Sequence, residues 1–454
     1  MNQIKKHIEP NKKIIQFANI IIILSALCSL FILIFLIYKI IISPESISLL
    51  FYYTCILIFI LYFLSTFLIL RLNNNFKSNF ALILLSVIIC IYFLEIFFWL
   101  KDLKFFEFDR RTKMEIFEDL NKNDSNVNLN VSPSFFRRQN GLNINNNNLY
   151  PLGGISNIKT LYCNESGQWL VFESDEHGFH NSKGLYKKGE VDIILTGDSY
   201  AAGACVESNE NIGSLLRESN IKALSLGKDG NGPLTELASL KEYAKPLEPK
   251  IVLWFYFEND IFDLDYELNS DLLSKYLYED NFSQNLFNRQ SEIDLALNLY
   301  ILDELKKNQS EIKRDKIPYN TITKMLKLYN LRSRLNLKPG QNLIHEIKPS
   351  KEFINILSES KKLVASWNGF LYFVYIPSYE TRYHIDNYLE ILQVVNDLDI
   401  LVIDIYEEVL ANHPDPLSLY PFREIGRHYN AEGYSLISET IYKRLKNDGF
   451  VFSK

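Results

Sequence analysis

The stretch VDIILTGDSY, residues 191–200, joins a short apolar run to a polar turn that carries a serine. An apolar run bounded by turn residues is typical of a strand that is buried on both faces. A strand that ends at Gly197 places Ser199 just beyond its carboxyl end, at one edge of a sheet. Since Gly-Asp-Ser is also ordinary turn chemistry, the role of Ser199 depends on the residues that come after the other strands.

Similar apolar runs recur along the chain and alternate with segments of helical spacing. The further predicted strands are KALSLG (222–227), KIVLWFYF (250–257), FLYFVYIP (370–377) and DILVIDIYEEV (399–409). The predicted helices are ESNENIGSLLRES (207–219), PLTELASLKEYAKP (233–246), KEFINILSESKKLVASWNG (351–369) and NAEGYSLISETIYKRL (430–445). Uniformly apolar strands that alternate with helices predict an α/β fold with a parallel sheet of about five strands, covered on both faces.

Polar residues with complementary chemistry follow several of these strands. Gly230 lies in the glycine turn after the second strand, Asn259 follows the third strand, and His428 precedes the last helix. A serine hydroxyl needs a base to take its proton, and His428 is of the right type. The amides of Ser199 and Gly230 and the side-chain amide of Asn259 would form an oxyanion hole. Since ligands bind beyond the carboxyl ends of such strands, we expect these residues to converge.

These motifs resemble the SGNH, or GDSL-type, esterase and acyltransferase superfamily. The matching stretches are GDS at 197–199, SLGKDGNG at 225–232, END at 258–260 and HYNAEG at 428–433. The resemblance covers about residues 170–454, and SDEHGFHN at 174–181 is similar to a segment found in membrane-tethered members. It implies a three-layer α/β/α domain in which Ser199 is the nucleophile, His428 is the base, and Gly230 and Asn259 complete the oxyanion hole.

One position departs from the family pattern. The aspartate that usually lies three residues before the histidine is replaced here by Ile425. Glu424, one residue earlier, is the tentative third catalytic residue. Asp415 is a second candidate, and a Ser-His pair without an acid is a third interpretation.

Three long apolar runs dominate the first hundred residues, at about 14–42, 49–70 and 80–100. Each is near or above the roughly 20 residues that a helix needs to cross a bilayer, so we predict three transmembrane helices that contact lipid through residues 14–100. Basic residues before the first run and between the second and third favour a cytoplasmic N-terminus. This orientation makes the chain a multi-pass protein of the cell (inner) membrane with residues 101–454 outside the cytoplasm, although bases between 101 and 113 oppose it.

The chain therefore divides into three predicted parts. Residues 1–100 form the membrane anchor, residues 101–150 form an Asn-rich stalk or arm, and residues 151–454 form the SGNH-like domain. The stalk is predicted as loop or partly disordered chain because NKNDSNVNLNVS and NINNNN are polar and weakly apolar. A charged, helix-rich stretch at about 261–345 is predicted as an insertion beside the active edge of the sheet.

Composition and cysteine spacing exclude several classes of partner. The net charge is −6 without a basic stripe, so no nucleic-acid partner is expected. The sequence has no CxxC or Cys/His cluster and no nucleotide fingerprint, so we expect neither a metal nor an organic cofactor. Cys163 and Cys205 both lie in the soluble part, but two cysteines alone do not establish a disulfide.

The resulting hypothesis is a membrane-anchored serine esterase or O-acyltransferase. Its expected substrate is an O-acylated, in the first place O-acetylated, glycan of the cell envelope, or another ester. The alternative is a catalytically silent SGNH-fold protein that binds glycan within an envelope polysaccharide assembly system. The missing aspartate supports this alternative, and a hydrogen bond between His428 and Ser199 would oppose it. A lipid esterase that opens toward the bilayer is a lesser rival.

Overall fold

The structure is a computed structural model in which two compact units can be distinguished. Described residues are 11–42, 49–103, 109, 111–144, 147–312, 325–328, 331–332, 349–377, 385–423 and 427–452. The first unit comprises Met1–Phe106 and Asp315–His345, and the second comprises Glu107–Arg314 and Glu346–Lys454.

The first unit contains three long apolar helices, α1 (Lys12–Ile42), α2 (Leu49–Ile69) and α3 (Asn74–Leu103). By length and composition all three can cross a membrane, which confirms the prediction of three such helices. The third helix begins six residues before the predicted start of its apolar run. Asn73 explains the difference, since its Oδ1 accepts a hydrogen bond of 2.8 Å from the Phe76 amide and caps a polar first turn.

The first helix packs against both of the others. Its buried residues recur every three or four positions, at Ala18, Ile22, Ala26, Ser29 and Leu33. Three of these five side chains are small, which allows helices to approach closely in a bilayer, where apolar burial does not drive association. Most other apolar side chains of the three helices are exposed, as lipid-facing residues are.

The second unit begins with ordered structure where the sequence predicts a stalk. It contains α4 (Lys113–Asn123), β1 (Val127–Leu129), a 3-10 helix (Pro133–Gln139), β2 (Leu142–Ile144) and β3 (Asn147–Leu149). A capping box between Thr112 and Glu115 begins α4. Val127, Phe136 and Leu149 are buried. For the described residues from 111 to 150 the prediction of loop or disorder is therefore wrong, because few but well-spaced apolar residues attach a polar segment to the domain.

Two further short strands complete a small sheet beside this segment. They are β4 (Lys159–Leu161) and β5 (Val171–Glu173). The sheet has the order β1-β4-β5, in which β4 is parallel to β1 and antiparallel to β5. The β4–β5 hairpin thus projects a loop from residue 162 to residue 170, which becomes important at the site.

The main sheet of the second unit has five parallel strands in the order β10-β9-β8-β6-β7. The strands are β6 (Ile193–Thr196), β7 (Ala223–Ser225), β8 (Ile251–Phe257), β9 (Phe370–Ile376) and β10 (Leu401–Asp404). The helices are α5 (Ser199–Ala202), α6 (Ile212–Glu218), α7 (Pro233–Ser239), α8 (Asp260–Glu267), α9 (Asp271–Tyr278), α10 (Gln290–Ile312), α11 (Lys351–Ala365), α12 (Ile385–Asp397) and α13 (Ala431–Asn447). The predicted α/β class with about five parallel strands is confirmed.

The sheet separates two hydrophobic cores. Along β8, Trp254 and Tyr256 belong to the core under α7 and α11, whereas Leu253 and Phe255 belong to the core under α6 and α13. This alternation makes β8 apolar on both faces and gives the domain three layers. Helix α12 was not among the predicted elements, and the predicted insertion is helical over α8, α9 and α10. Much of 313–348 lies outside the described residues.

Candidate active site

The order of the strands places three predicted site residues after three neighbouring strands. β6 lies between β7 and β8, so Ser199, Gly230 and Asn259 follow adjacent carboxyl ends. Parallel strands end at the same edge, which is where α/β proteins bind ligands. Chain segments that are about 30 residues apart in sequence thereby meet at one edge of the sheet.

Ser199 lies in the first turn of α5, directly after β6. Asp198 caps this helix, because its Oδ1 accepts from the Tyr200 amide at 2.9 Å. Gly197 permits the sharp turn. Its φ is +153°, and an added Cβ would lie 2.7 Å from the Cβ of Phe255 on the neighbouring strand. The tight turn therefore holds the Ser199 hydroxyl at the sheet edge with only 8% of the residue exposed.

His428 meets Ser199 from the far end of the chain. Its Nε2 lies 2.7 Å from the Ser199 Oγ, a normal hydrogen-bond distance for a base and the group that it deprotonates. The neighbouring Tyr429 is buried and donates its hydroxyl to the Pro377 carbonyl at 3.0 Å. The Tyr200 ring centroid lies 5.0 Å from that of the imidazole. The His428 ring is therefore held between a fixed backbone and an aromatic neighbour.

The acid beside His428 is Glu165, which the sequence reasoning did not identify. Its Oε1 lies 3.0 Å from Nδ1 of His428, and its Oε2 accepts from the His428 amide at 2.7 Å. This double contact fixes the imidazole with Nδ1–H toward the carboxylate and Nε2 toward the serine. Glu165 lies in the β4–β5 loop, more than 260 residues before the histidine, with a sequence separation of 263.

The two acids that the sequence suggested have different positions. Glu424 lies outside the described residues, as does Ile425. Asp415 holds Arg423 through two hydrogen bonds of 2.7 and 2.8 Å. The carboxylate contact of His428 within the described part of the chain is thus with Glu165.

One sequence signal pointed to Glu165 without being decisive. Cys163 and Cys205 form a disulfide with a Cα–Cα distance of 5.5 Å. Cys205 lies six residues after Ser199, and Glu165 lies two residues after Cys163. Pairing these cysteines brings an acid near the serine, but the pairing itself could not be deduced from two cysteines alone.

Electrostatics favour a charged Glu165 and a basic His428. Burial lowers the pKa of His428, but the hydrogen bond and the charge of Glu165 raise it more, so the net pKa lies above its ordinary value. Burial raises the pKa of Glu165, and its bonds to His428 outweigh this effect, so that the net pKa is lowered. Burial also raises the pKa of Asp198 to about 6. The histidine is thus strengthened as a proton acceptor.

The other residues assigned to the oxyanion hole lie on the loops that follow the two strands beside β6. The Lys228 amide and the Asn231 side chain donate to the Gly197 carbonyl at 3.4 and 3.2 Å, which ties the glycine turn to the serine turn. Gly230 has a φ of +65°, a conformation that favours glycine. Asn259 donates from Nδ2 to Asp263 Oδ2 at 2.8 Å, which orients its amide and leaves one N–H for a substrate.

The segment 174–181 contacts both strand β7 and the end of helix α5. Asn181 forms a paired contact with Ser225 on β7, donating to its carbonyl at 2.8 Å and accepting from its amide at 2.9 Å. His180 lies 3.2 Å from the Ala202 carbonyl at the end of α5. Both residues are buried. The motif that resembled membrane-tethered proteins therefore connects the serine turn to the neighbouring strand.

Three donor atoms at the site are close enough to be compared with a metal centre. The donor atoms of Glu165, Cys205 and His428 all lie within 4.8 Å of one another. The Cys205 sulfur is bonded to Cys163, however, and therefore offers no thiolate. The cluster is better described as a Glu-His pair that lies against a disulfide.

Comparison with known proteins gives structural likeness only. No family model and no curated protein matches the chain. Similar solved structures include a protein assigned to the G-D-S-L lipolytic family from Desulfitobacterium hafniense, with TM-score 0.32, 12% identity, and coverage of 56% of this chain and 98% of that chain. The lipase/acylhydrolase from Enterococcus faecalis has TM-score 0.31 and 13% identity, with coverage of 58% and 99%.

A two-domain esterase active on acetylated mannans is also similar, with TM-score 0.31, 12% identity, and coverage of 58% of this chain and 52% of that chain. At such TM-scores the likeness carries no inference about activity. The function is therefore inferred from the geometry of the site.

Proposed function

We propose that this chain is a membrane-anchored serine ester hydrolase or O-acyltransferase that forms an acyl-enzyme on Ser199. The observation that carries the proposal is the 2.7 Å contact between Ser199 Oγ and His428 Nε2, with Glu165 at 3.0 Å on the other ring nitrogen. This arrangement of nucleophile, base and orienting acid is the general pattern of an activated serine.

The geometry supports a two-step acyl transfer. Ser199 Oγ attacks the ester carbonyl carbon while its proton passes to His428 Nε2, and Glu165 stabilises the imidazolium that results. Collapse of the tetrahedral intermediate breaks the ester C–O bond, and the departing alcohol takes the proton from Nε2. Water or a sugar hydroxyl then attacks the acyl-serine and gives its proton to His428 Nε2. The bond between the acyl carbon and Ser199 Oγ breaks, the proton returns from Nε2 to Oγ, and the acid or a new ester is released.

The developing oxyanion would be bound by the Ser199 amide, the Gly230 amide and the Asn259 side chain. All three follow adjacent strands at one edge of the sheet. Donors that are already oriented stabilise the transition state without reorganisation, and the loss of one typically costs about 100- to 1000-fold in rate.

The substrate that we infer is an O-acylated glycan of the cell envelope. The acyl group that we favour is O-acetyl. The resemblance of the motifs to envelope-acting members of the SGNH superfamily supports this class. So does the exposure of Phe262 and Tyr266, at 42% and 56%, on the helix that begins immediately after Asn259. Exposed aromatic faces offer surfaces on which sugar rings pack.

The alternative of a silent glycan-binding protein was based on the absent aspartate before the histidine. Glu165 supplies a carboxylate at the same ring nitrogen. The alternative therefore loses its main support, and it becomes an outcome of the experiment below.

Two observations support a site outside the cytoplasm. Basic residues before the first predicted helix and between the second and third favour a cytoplasmic N-terminus. The Cys163–Cys205 disulfide belongs to an oxidising compartment.

The proposal is tested by treating the full-length chain in detergent with a fluorophosphonate probe and mapping the adduct by mass spectrometry. We expect labelling at Ser199 that disappears in Ser199→Ala and His428→Ala and persists in Ser208→Ala, a matched serine control. Release of acetate from an O-acetylated polysaccharide, with and without an added sugar acceptor, then separates hydrolysis from transfer. A folded chain that is not labelled would support the silent glycan-binding alternative.

A further inference from the structure

The loop that carries Glu165 extends beyond its strands. Two backbone hydrogen bonds of 2.9 Å, from Tyr162 to Leu170 and from Leu170 to Cys163, prolong the hairpin past β4 and β5. Beyond Cys163 the loop continues without strand pairing until Leu170. Glu165 therefore lies in the part of the loop that regular structure does not fix.

The disulfide attaches this loop to the segment after the nucleophile. Cys205 lies directly after the turn that closes α5, where the Ala204 amide donates to the Ser199 carbonyl at 3.0 Å. The Cys205 sulfur lies within 4.8 Å of donor atoms of both Glu165 and His428. A covalent link thus joins the acid side of the site to the serine side.

Further contacts of the loop include the packing of Trp169 against a buried cluster and hydrogen bonds, one of them of 3.2 Å from Trp169 Nε1 to the Arg111 carbonyl. The Arg427 side chain donates to the Glu165 carbonyl at 3.1 Å, and this arginine is the neighbour of the histidine that Glu165 itself holds. At the far side Asn164 donates to the Asp109 carbonyl at 2.6 Å, and the Asp109 amide donates to the Gly167 carbonyl at 2.6 Å. Hydrogen bonds of this kind each contribute only about 1 kcal/mol.

We propose that the Cys163–Cys205 disulfide is a positioning element of the active site: it holds Glu165 against His428, and its reduction withdraws the carboxylate and lowers activity. The inference rests on the proposed function for its effect on activity, but the contact between Glu165 and His428 can be measured independently. It makes the enzyme dependent on an oxidising compartment, beyond any contribution of the disulfide to stability.

The chemical step is thiol–disulfide exchange. A dithiol reagent such as dithiothreitol attacks one sulfur as a thiolate and forms a mixed disulfide. Its second thiol then displaces the remaining cysteine, so that the protein gains two thiols and the reagent becomes a cyclic disulfide. The hairpin itself should persist after reduction, because Tyr162, Leu170 and Phe172 remain packed in one buried cluster.

The test compares four full-length chains in detergent, each oxidised and after treatment with dithiothreitol. They are wild type, Glu165→Gln, the double variant Cys163→Ser/Cys205→Ser, and the triple variant Cys28→Ser/Cys55→Ser/Cys90→Ser. The last replaces the free cysteines of the predicted membrane helices and is the matched control. Circular dichroism establishes that each chain is folded in both states.

The first readout is the pH dependence of His428 carbethoxylation by diethyl pyrocarbonate, followed by mass spectrometry. Only the neutral imidazole reacts, so the midpoint reports the protonation of His428. We expect reduction of wild type to move the midpoint of His428 carbethoxylation to lower pH. Glu165→Gln should show the same lower midpoint without reduction, and reducing this variant should not move the midpoint further. The double serine variant should match reduced wild type, and the triple variant should match wild type in both states.

The second readout is kcat for hydrolysis of p-nitrophenyl acetate. We expect reduction to lower kcat of wild type by about 10- to 100-fold, as small displacements of catalytic groups do. Reduction should leave kcat of Glu165→Gln unchanged, because the carboxylate is already absent. This dependence on Glu165 separates positioning from a general loss of stability, because a loss of stability would lower kcat of wild type and of Glu165→Gln alike.

Two results would overturn the inference. One is a His428 midpoint in wild type that reduction does not move. The other is a change on reduction that is equally large in Glu165→Gln. Failure of the oxidised wild type to react with a fluorophosphonate would instead contradict the proposed function, while the His428 midpoints would still decide whether the disulfide positions Glu165.

Discussion

Replacing Glu165 by glutamine should remove most of the activity while leaving the fold intact. Glutamine keeps the length and one oxygen of the side chain but carries no charge. The carboxylate makes two contacts with His428, of 3.0 Å to Nδ1 and 2.7 Å from the backbone amide. Glutamine can still accept one of them, so the variant isolates the loss of negative charge beside the imidazolium.

The size of the effect can be worked out from Coulomb's law. Unit charges about 4 Å apart attract by about 4 kcal/mol at an effective dielectric constant near 20. The side chains of His428 and Glu165 are 24% and 23% exposed, so solvent screening reduces this value. A remaining loss of about 2 to 3 kcal/mol in the transition state corresponds to a fall in kcat of roughly 30- to 150-fold. KM should change little.

The pH profile gives a second signature that a purely structural role would not produce. Glu165 holds the pKa of His428 above its ordinary value, although burial acts in the opposite direction. Removing the charge therefore lowers this pKa and extends the neutral, basic form of the imidazole to lower pH. The acidic limb of kcat/KM should move to lower pH in Glu165→Gln.

The assay is hydrolysis of p-nitrophenyl acetate by the full-length chain, measured across the pH range for Glu165→Gln, Asp415→Asn and Glu424→Gln. Asp415→Asn is the matched control and should retain wild-type kcat, because its partner is Arg423 at the surface. Wild-type kcat and an unmoved acidic limb in Glu165→Gln would refute the reasoning. A loss confined to Glu424→Gln would support the sequence-based assignment instead.

Three further predictions concern other parts of the site and the fold. Asn259→Ala should lower kcat about 100- to 1000-fold with little change in KM, because it removes an oxyanion donor, and steady-state kinetics on the same ester will check this. Burial lowers the pKa of His180 to about 4, so wild type should lose about 3 kcal/mol of unfolding free energy as the pH falls from about 6.5 through 4. His180→Gln cannot titrate and should lack this loss. The difference in unfolding free energy between wild type and His180→Gln, measured by urea denaturation, should therefore narrow at acid pH. A difference that does not narrow would contradict the assignment. Gly178 and Gly184 have nearly the same φ, +80° and +81°. A Cβ added at Gly178 would lie 2.0 Å from the Gly154 carbonyl carbon, whereas a Cβ added at Gly184 would have no atom within 4 Å. Gly184→Ala should therefore cost about 1–2 kcal/mol in thermal unfolding, whereas Gly178→Ala should prevent normal folding, and equal effects would show that strain in φ alone decides.

Most of the fold could be predicted because its signals are local. Five apolar runs became the five strands of the main sheet, and three longer runs became helices that can span a membrane. The segment before residue 150 could not be predicted, since only scattered residues such as Phe136 attach it and neutral polar side chains surround them. Helix α12 (Ile385–Asp397) was not predicted either.

Part of the candidate site was also predictable, because Ser199, Gly230 and Asn259 follow strands in sequence as well as in space. Knowing the strands is enough to know that their carboxyl ends share one edge. His428 was proposed from its position before the last helix, and the structure brings it to Ser199.

By itself, the sequence determined the layered architecture, the apolar anchor helices and the residue types at the sheet edge, because each depends on periodicity within about 20 neighbouring residues. Only the tertiary structure decided which acid meets His428. Glu165 contacts the imidazole because the β4–β5 hairpin and the Cys163–Cys205 disulfide place its loop beside His428. No local pattern encodes a contact between residues that far apart, since it arises from the packing of whole elements rather than from the propensity of any one of them.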